Sequence, residues 1–296
     1  PRRGKVAGSA ARAGAMSARL APLLKGDRPN EAEGILIEMT LGLDPETLTE
    51  WQQRIAWSYY LTGDDVSARR LAGTARAGYG DWAAQADWVA GLAAWRQQDW
   101  SAASEAFASV AARSSDQEMV SAGYFWAARA DMAGGHPERV AAQLKAASAN
   151  SETFYGLLAL NRLGLTIRPV DQSSLGNVEA RPNVRAALAL AEIGEMDLAD
   201  QLIRYQARIG NPRDHASLAA IAGRMDLPAT QLWLAHNGPA GAQTATSARY
   251  PAPQGWQPVG GWRVDKALVF AHALQESQFR TTVTSPAGAR GLMQVM

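Results

Sequence analysis

Gly63-Asp64-Asp65-Val66-Ser67-Ala68-Arg69-Arg70-Leu71-Ala72 reads as a turn followed at once by a helix. Gly63 and the two aspartates punctuate, and Ala68 and Ala72, four positions apart, share one helix face. The same pattern returns at Gln98-Asp99-Trp100 with Ala103/Phe107, at Gly134-Gly135-His136-Pro137 with Val140/Leu144, and at Gly194-Glu195-Met196-Asp197 with Ala199/Ile203. An earlier pair, Ala32/Leu36, precedes them. From Ala32 to Val140 the pairs stand about 36 residues apart, and the last step, to Ala199, is about 59.

A period in the mid-thirties is that of a helix–turn–helix repeat of tetratricopeptide type. Ala, Leu, Arg, Gln and Glu dominate residues 1–245 and β-branched runs are rare, which favours helix. Each small or apolar pair can pack on the preceding helix. Trp51, Trp57, Trp82, Trp88, Trp95 and Trp126 then fill the spaces between helix pairs. Core packing is the plain reading of these rings, and a sugar-stacking platform is the alternative. Such units bury their apolar faces only by stacking. The expected fold is therefore all-α, a helical-repeat superhelix (solenoid) over residues 1–245.

One stretch breaks the period. Ser151 to Gly164 reads as a capped apolar helix, with Ser151 or Glu152 at its start and Gly164 just past its end. A tail of small and polar residues runs from Gly238 to Ser247. Tyr250-Pro251-Ala252-Pro253-Gln254-Gly255-Trp256-Gln257-Pro258 follows, with Gly260 and Gly261 close behind. Three prolines and these glycines predict an extended connector over residues 246–262, leaving residues 263–296 as a separate element.

Composition excludes several classes. Of 296 residues, 47% are hydrophobic, enough for a sizeable core and too many for general disorder. Twenty-nine basic residues face 28 acidic ones, so no whole-protein field draws in nucleic acid or an anionic membrane. With no cysteine, thiolate catalysis, disulfides and cysteine-held metals are ruled out. His136, His215, His236 and His272 are scattered, and none forms a zinc-binding pair. No metal and no cofactor are expected. No run of about 18 apolar residues predicts a membrane span. The opening Pro1-Arg2-Arg3-Gly4-Lys5 lacks the apolar core of a signal peptide.

After Gly261 the sequence changes character. Asp265 is placed to cap a helix whose apolar stripe runs Ala267, Leu268, Ala271 and Leu274. Glu276 stands near its end. Ser285-Pro286-Ala287-Gly288-Ala289 supplies a turn, and Gly291 to Met296 reads as the start of another helix. Alone, a glutamate near a helix end is a solvated surface group, Ser285 before proline is a cap or turn residue, and Met293 and Met296 are core.

Together, Glu276-Ser277-Gln278-Phe279 and Ser285-Pro286-Ala287-Gly288-Ala289-Arg290-Gly291-Leu292-Met293-Gln294-Val295-Met296 resemble the signature of soluble lytic transglycosylases. The residues Gly260-Gly261-Trp262, Tyr124-Phe125-Trp126-Ala127-Ala128-Arg129 and Phe154-Tyr155-Gly156-Leu157 are similar to that family's catalytic-domain opening and α-superhelical scaffold. The resemblance implies that residues 263–296 begin a lysozyme-like transglycosylase domain. It implies cleavage of the MurNAc-β-1,4-GlcNAc bond of peptidoglycan, with the muramyl 6-hydroxyl attacking its own C1 to leave a 1,6-anhydro end. One carboxyl group suffices, where most glycosidases use two. Glu276 would act first as acid and then as base, its neutral form favoured by apolar neighbours such as Leu274 and Phe279. Ser285 would orient Glu276 or the substrate's N-acetyl group, and Gln294 and Met296 would line the glycan groove. His272, one turn before Glu276, has no place in the family pattern.

The expected partner is a peptidoglycan glycan strand, and the repeats leave room for a protein partner. A periplasmic location follows from that substrate class. A whole domain of this family takes roughly a hundred further residues after the signature, so this chain alone is expected to show little activity. The alternatives are a non-catalytic helical-repeat scaffold that binds cell-wall glycan or a partner protein, and a muramidase that leaves reducing ends.

Overall fold

The computed structural model describes residues 2–166, 177–238 and 245–296. Among them the fold is all-α, without a strand. The chain divides into two compact units, Pro1–Ile167 and Arg168–Met296. The first holds α1 (Arg2–Lys25), α2 (Pro29–Met39), α3 (Pro45–Leu61), α4 (Asp65–Ala75), α5 (Gly80–Arg96), α6 (Trp100–Arg113), α7 (Gln117–Ala133), α8 (Pro137–Ser148) and α9 (Phe154–Arg162). The second holds α10 (Pro182–Glu192), α11 (Met196–Ile209), α12 (His215–Arg224), α13 (Pro228–His236), α14 (Thr246–Arg249) and α15 (Lys266–Ser277).

The expected punctuation is physical. Seven described helices end in one shared closure, each leaving through a left-handed residue: Asp27, Gly63, Gln98, Gly135, Gly164, Gly194 or Asp226. The next amide bonds five residues back, as from Asp64 to the Tyr59 carbonyl (2.9 Å), from Asp99 to Ala94 (3.0 Å) and from His136 to Asp131 (2.8 Å). These are Schellman closures, and glycine fills four of the seven because it adopts positive φ without strain. In all but one, the residue donating that amide is also the N-cap of the next helix. Asp64 and Asp99 then accept the Ser67 and Ala102 amides at 3.0 and 3.2 Å, each cap stabilising its helix by about 1 kcal/mol. The turns from Asp27 to Gly135 recur about every 36 residues, and those beyond about every 30. In α9 the N-cap is Thr153, not Ser151 or Glu152, because its hydroxyl is the group that accepts the Gly156 amide (3.0 Å).

Within the first unit, consecutive helices pack side by side. Ala32, Leu36, Ala68, Ala72, Ala103 and Phe107 are all buried, as their spacing predicted, while Val140 and Leu144 are half-buried. Gly91 and Gly123 mark close approaches between helices. A Cβ on Gly91 would meet the Phe107 ring at 2.7 Å, and one on Gly123 would meet the Phe107 carbonyl at 2.6 Å. Trp88 and Trp126 lie edge or tilted against Phe107 (centroids 5.3 and 5.7 Å), and Trp51 is buried. Trp57 departs from the core reading. It is 37% exposed and stacked on Tyr60, because its neighbours Ile55, Ala56 and Ser58 already fill the inner face of α3.

Two polar clusters join these helices. Asp87 is fully buried between Arg76 (2.6 Å) and Arg113 (3.3 Å), and burial pushes its carboxyl up against the pull of both guanidinium groups. The Arg70 guanidinium donates to both oxygens of Glu33 (2.8 and 2.7 Å), and the Tyr59 hydroxyl donates to Oε2 (2.9 Å). Hydrogen bonding from Arg70 holds the Glu33 carboxyl below its ordinary value, and burial pushes the Tyr59 phenol up to about 12. The signs differ. Glu33 contributes stability above its unfolded pKa of 4.5, lost as pH falls through the depressed folded value. Tyr59 contributes stability below its unfolded pKa of 10.0, lost as pH rises through about 12. An ultraviolet titration of tyrosinate is expected to show one phenol ionising near pH 12, a phase that Tyr59→Phe removes. A titration unchanged by that substitution would contradict the assignment.

The second unit takes in the expected connector and the residues after it. The compact units part at Ile167/Arg168, within the stretch expected to form the array. Residues 246–262 hold one turn of helix at α14 and are otherwise irregular, with bends and turns. This stretch is pinned within its unit. The Gln254 and Gly255 amides both donate to the Asp226 carboxylate at 2.8 Å, and Trp256 packs on Phe279 (centroids 6.2 Å). Of the expected small-residue tail, residues 239–244 lie outside the described residues. Two apolar clusters build the unit. Val184, Ile203, Leu218, Ile221 and Leu234 tie α10 to α13, and Leu232, Ala273 and Phe279 tie α13 to α15 and the turn after it.

Candidate active site

The site begins at α15. The Asp265 carboxylate accepts the Ala267 amide at 2.8 Å, as expected of a cap. The buried face differs from the expected stripe. Ala273 and Ser277 are buried and Phe270 and Leu274 half-buried, while Ala267, Leu268 (55%) and Ala271 are exposed. Apolar residues surround this helix on several sides, so spacing alone left the face ambiguous. The aromatic partners decide it, since Phe270 lies 6.4 Å from Phe279 and 5.5 Å from Trp262.

Glu276 sits in the last turn of α15, exposed, with no hydrogen bond or ion pair among the described residues. One residue further on, the chain reverses through two consecutive left-handed residues, Gln278 (φ 53°) and Phe279 (φ 62°). For side chains with a Cβ this costs about 1–2 kcal/mol each. The cost is offset by burial of the Phe279 ring and by a dense set of local bonds. The Gln278 and Phe279 amides donate to Leu274 and Ala273 (3.1 Å each), and Arg280 donates to the Ser277 carbonyl through its amide (3.1 Å) and Nε (2.9 Å). The apolar shelter expected around Glu276 is not formed by the described residues. Phe279 turns inward to Leu232 and Ala273, while Glu276 points to solvent.

Ser285 lies in a tight loop. Its amide donates to the Ala289 carbonyl (2.8 Å), and its Oγ accepts the Ala289 amide (3.1 Å), so the hydroxyl is a turn-former here. Gly291 donates to Val283 (2.8 Å), and isolated bridges pair Thr284 with Arg290 and Arg290 with Val295. The expected helix from Gly291 to Met296 is absent. Gly291 (φ 71°) and Gln294 (φ 46°) both occupy the left-handed region, which stops a right-handed helix from propagating. Gln294 Nε2 donates to the carbonyls of Gly291 (2.8 Å) and Val283 (3.2 Å), so this side chain braces the loop. Met296 is 88% exposed. Ser285 and Gln294 thus share one hairpin, and neither is hydrogen-bonded to Glu276. Reading the sequence alone missed two supports of the site, Trp256 and the left-handed pair at Gln278-Phe279. Trp256 stood in a proline-rich stretch with no periodicity to assign it a partner.

A helix end with an exposed carboxylate, a forced reversal and a glycine-hinged hairpin coincide with a family match. Residues 259–296 match the Transglycosylase SLT domain. Outside this SLT segment the likeness is structural. The 70 kDa soluble lytic transglycosylase from Escherichia coli superimposes with a TM-score of 0.60 at 18% identity, over 94% of this chain and 45% of that one. An inactive Glu→Gln mutant of the lytic transglycosylase Slt from Pseudomonas aeruginosa gives 0.60 at 22%, with the same coverage. The chain thus spans under half the length of these solved structures, and the likeness at this identity is one of fold. No curated protein sequence matches. The resemblance to soluble lytic transglycosylases carried by the signature is borne out. Among the described residues, no group of three or more His, Asp or Glu could hold a metal ion, and no helix is long and apolar enough to cross a membrane.

Proposed function

We propose that this chain belongs to a peptidoglycan lytic transglycosylase in which Glu276 alone serves as acid and then base. The observation that carries this reading is the SLT segment, with its glutamate presented at the end of α15 by a strained turn. Glu276 protonates the glycosidic oxygen between MurNAc and GlcNAc as the C1–O bond breaks. The carboxylate so formed takes the proton of the muramyl 6-hydroxyl as that oxygen bonds to C1. The nucleophile is already part of the substrate, so no second carboxylate is needed to position a water.

In this reading Ser285 orients the N-acetyl group or Glu276, and Gln294 and Met296 flank the glycan. The Ser285 hydroxyl and the Gln294 amide must then either retain their loop bonds while contacting sugar through remaining lone pairs and protons, or exchange them on binding. The substrate class places the protein in the periplasm. The native protein, incubated with purified sacculi, is expected to release muropeptides with 1,6-anhydro ends. Products with only reducing ends would instead make it a muramidase, and no release would favour the scaffold reading.

A further inference from the structure

Beneath the α7–α8 turn lies a cavity of about 220 Å³, walled by Trp100, Ser104, Glu105, Asp131, His136 and Arg139. Its floor carries a carboxylate that the fold does not explain. The Asp131 side chain is 2% exposed, and its Oδ1 accepts the Ser104 hydroxyl at 2.7 Å. Its Oδ2 is buried without a hydrogen bond. The nearest cation, Arg139 NH1, stands 4.0 Å from Oδ1, on a side chain that is 60% exposed.

The position itself is unusual. Asp131 is the residue whose carbonyl receives the Schellman bond at the end of α7. The corresponding residues in the other six turns are Leu23, Tyr59, Ala94, Leu160, Leu190 and Ala222, none of them acidic. The repeat therefore builds this corner without a carboxylate. Asp87, the other fully buried aspartate of the unit, faces two arginines within 3.3 Å. A buried carboxylate oxygen left without a partner costs several kcal/mol unless something binds it.

We propose that this cavity is a binding site for a primary ammonium group, with Asp131 as its anchor. The ammonium donates to Asp131 Oδ2. The Ser104 oxygen, whose proton already points to Oδ1, has lone pairs free to accept a second bond, and Glu105 supplies further negative charge at the wall. A bare metal ion is a poorer occupant, because no set of three metal-ligating side chains converges among the described residues. The volume accommodates a short alkylammonium chain. Such an end group occurs on free small amines and on lysine side chains.

The test is calorimetric titration of this chain with 1,5-diaminopentane and, separately, with a doubly blocked Gly-Lys-Gly peptide, alongside the Nζ-acetylated peptide. Saturable binding of the diamine alone assigns the site to free amines, and saturable binding of the lysine peptide assigns it to side chains. Either result supports the proposal if Asp131→Asn weakens the binding at least tenfold and, for the lysine peptide, acetylation abolishes it. Binding unaltered by Asp131→Asn, or no binding of either probe at tens of millimolar, overturns it. Stability supplies an independent reading. Without added amine, Asp131→Asn should keep an unchanged or higher melting temperature. A fall of more than about 4 °C marks Asp131 as a structural support and also overturns the proposal.

Discussion

Glu276→Gln is expected to lower glycan cleavage by the native protein about 10²–10⁴-fold, the usual contribution of a positioned proton donor and acceptor. Stability should not follow. Glu276 is exposed and bonded to nothing among the described residues, so an isosteric amide is expected to shift folding by no more than about 0.5 kcal/mol. That separation makes the substitution informative, because lost activity cannot then be charged to lost structure. His272→Ala is the internal control. His272 is also exposed, one helical turn earlier, and its removal should leave turnover intact. Turnover of sacculi, followed by mass spectrometry of the released muropeptides, reads both variants. Undiminished release by Glu276→Gln removes the glutamate from the chemistry and favours the scaffold alternative.

Phe279→Ala should have the largest effect on stability near the site, about 3–5 kcal/mol, the ordinary cost of deleting a buried aromatic ring. Phe279 is 3% exposed and packs with Leu232, Ala273, Trp256, Phe270 and Leu292. Its backbone is left-handed, so the substitution removes the burial that holds the turn while leaving most of the strain. The turn then relaxes, and Glu276, three residues earlier, loses its fixed direction. Both the melting transition of the second unit and sacculus turnover should fall together. Phe279→Leu, which keeps much of the apolar volume, should lose markedly less of each. A variant with normal turnover and melting would show that the turn is held by its local hydrogen bonds alone.

Much of this architecture was legible from spacing. The i, i+4 pairs and the Gly/Asp punctuation follow from helix geometry and from the chemistry of helix ends, both of which act over a few residues, and the structure returns them at the predicted positions. The anchoring of the proline-rich stretch was not legible in the same way. It rests on Trp256 reaching Phe279 and on Asp226 gathering two amides, contacts between residues about 25 apart that no local pattern encodes. The site shows the same split. Glu276, Ser285 and Gln294 could be named from their motif, but their present bonds could not. The Ser285 and Gln294 side chains are engaged by their own loop, and the apolar neighbours of Glu276 face the core rather than the carboxylate.

The Schellman turns carry a consequence for how such a chain changes over time. In six of the seven turns the amide that closes one helix belongs to the residue that opens the next, so there the stop signal is also the start signal. A duplication or deletion of one helix pair therefore carries its own terminators and leaves the joints on either side chemically complete. Length can be edited in whole modules with little penalty at the seams, whereas a cut through the middle of a pair strands an apolar face. Descendants of this scaffold should accordingly differ by multiples of the pair.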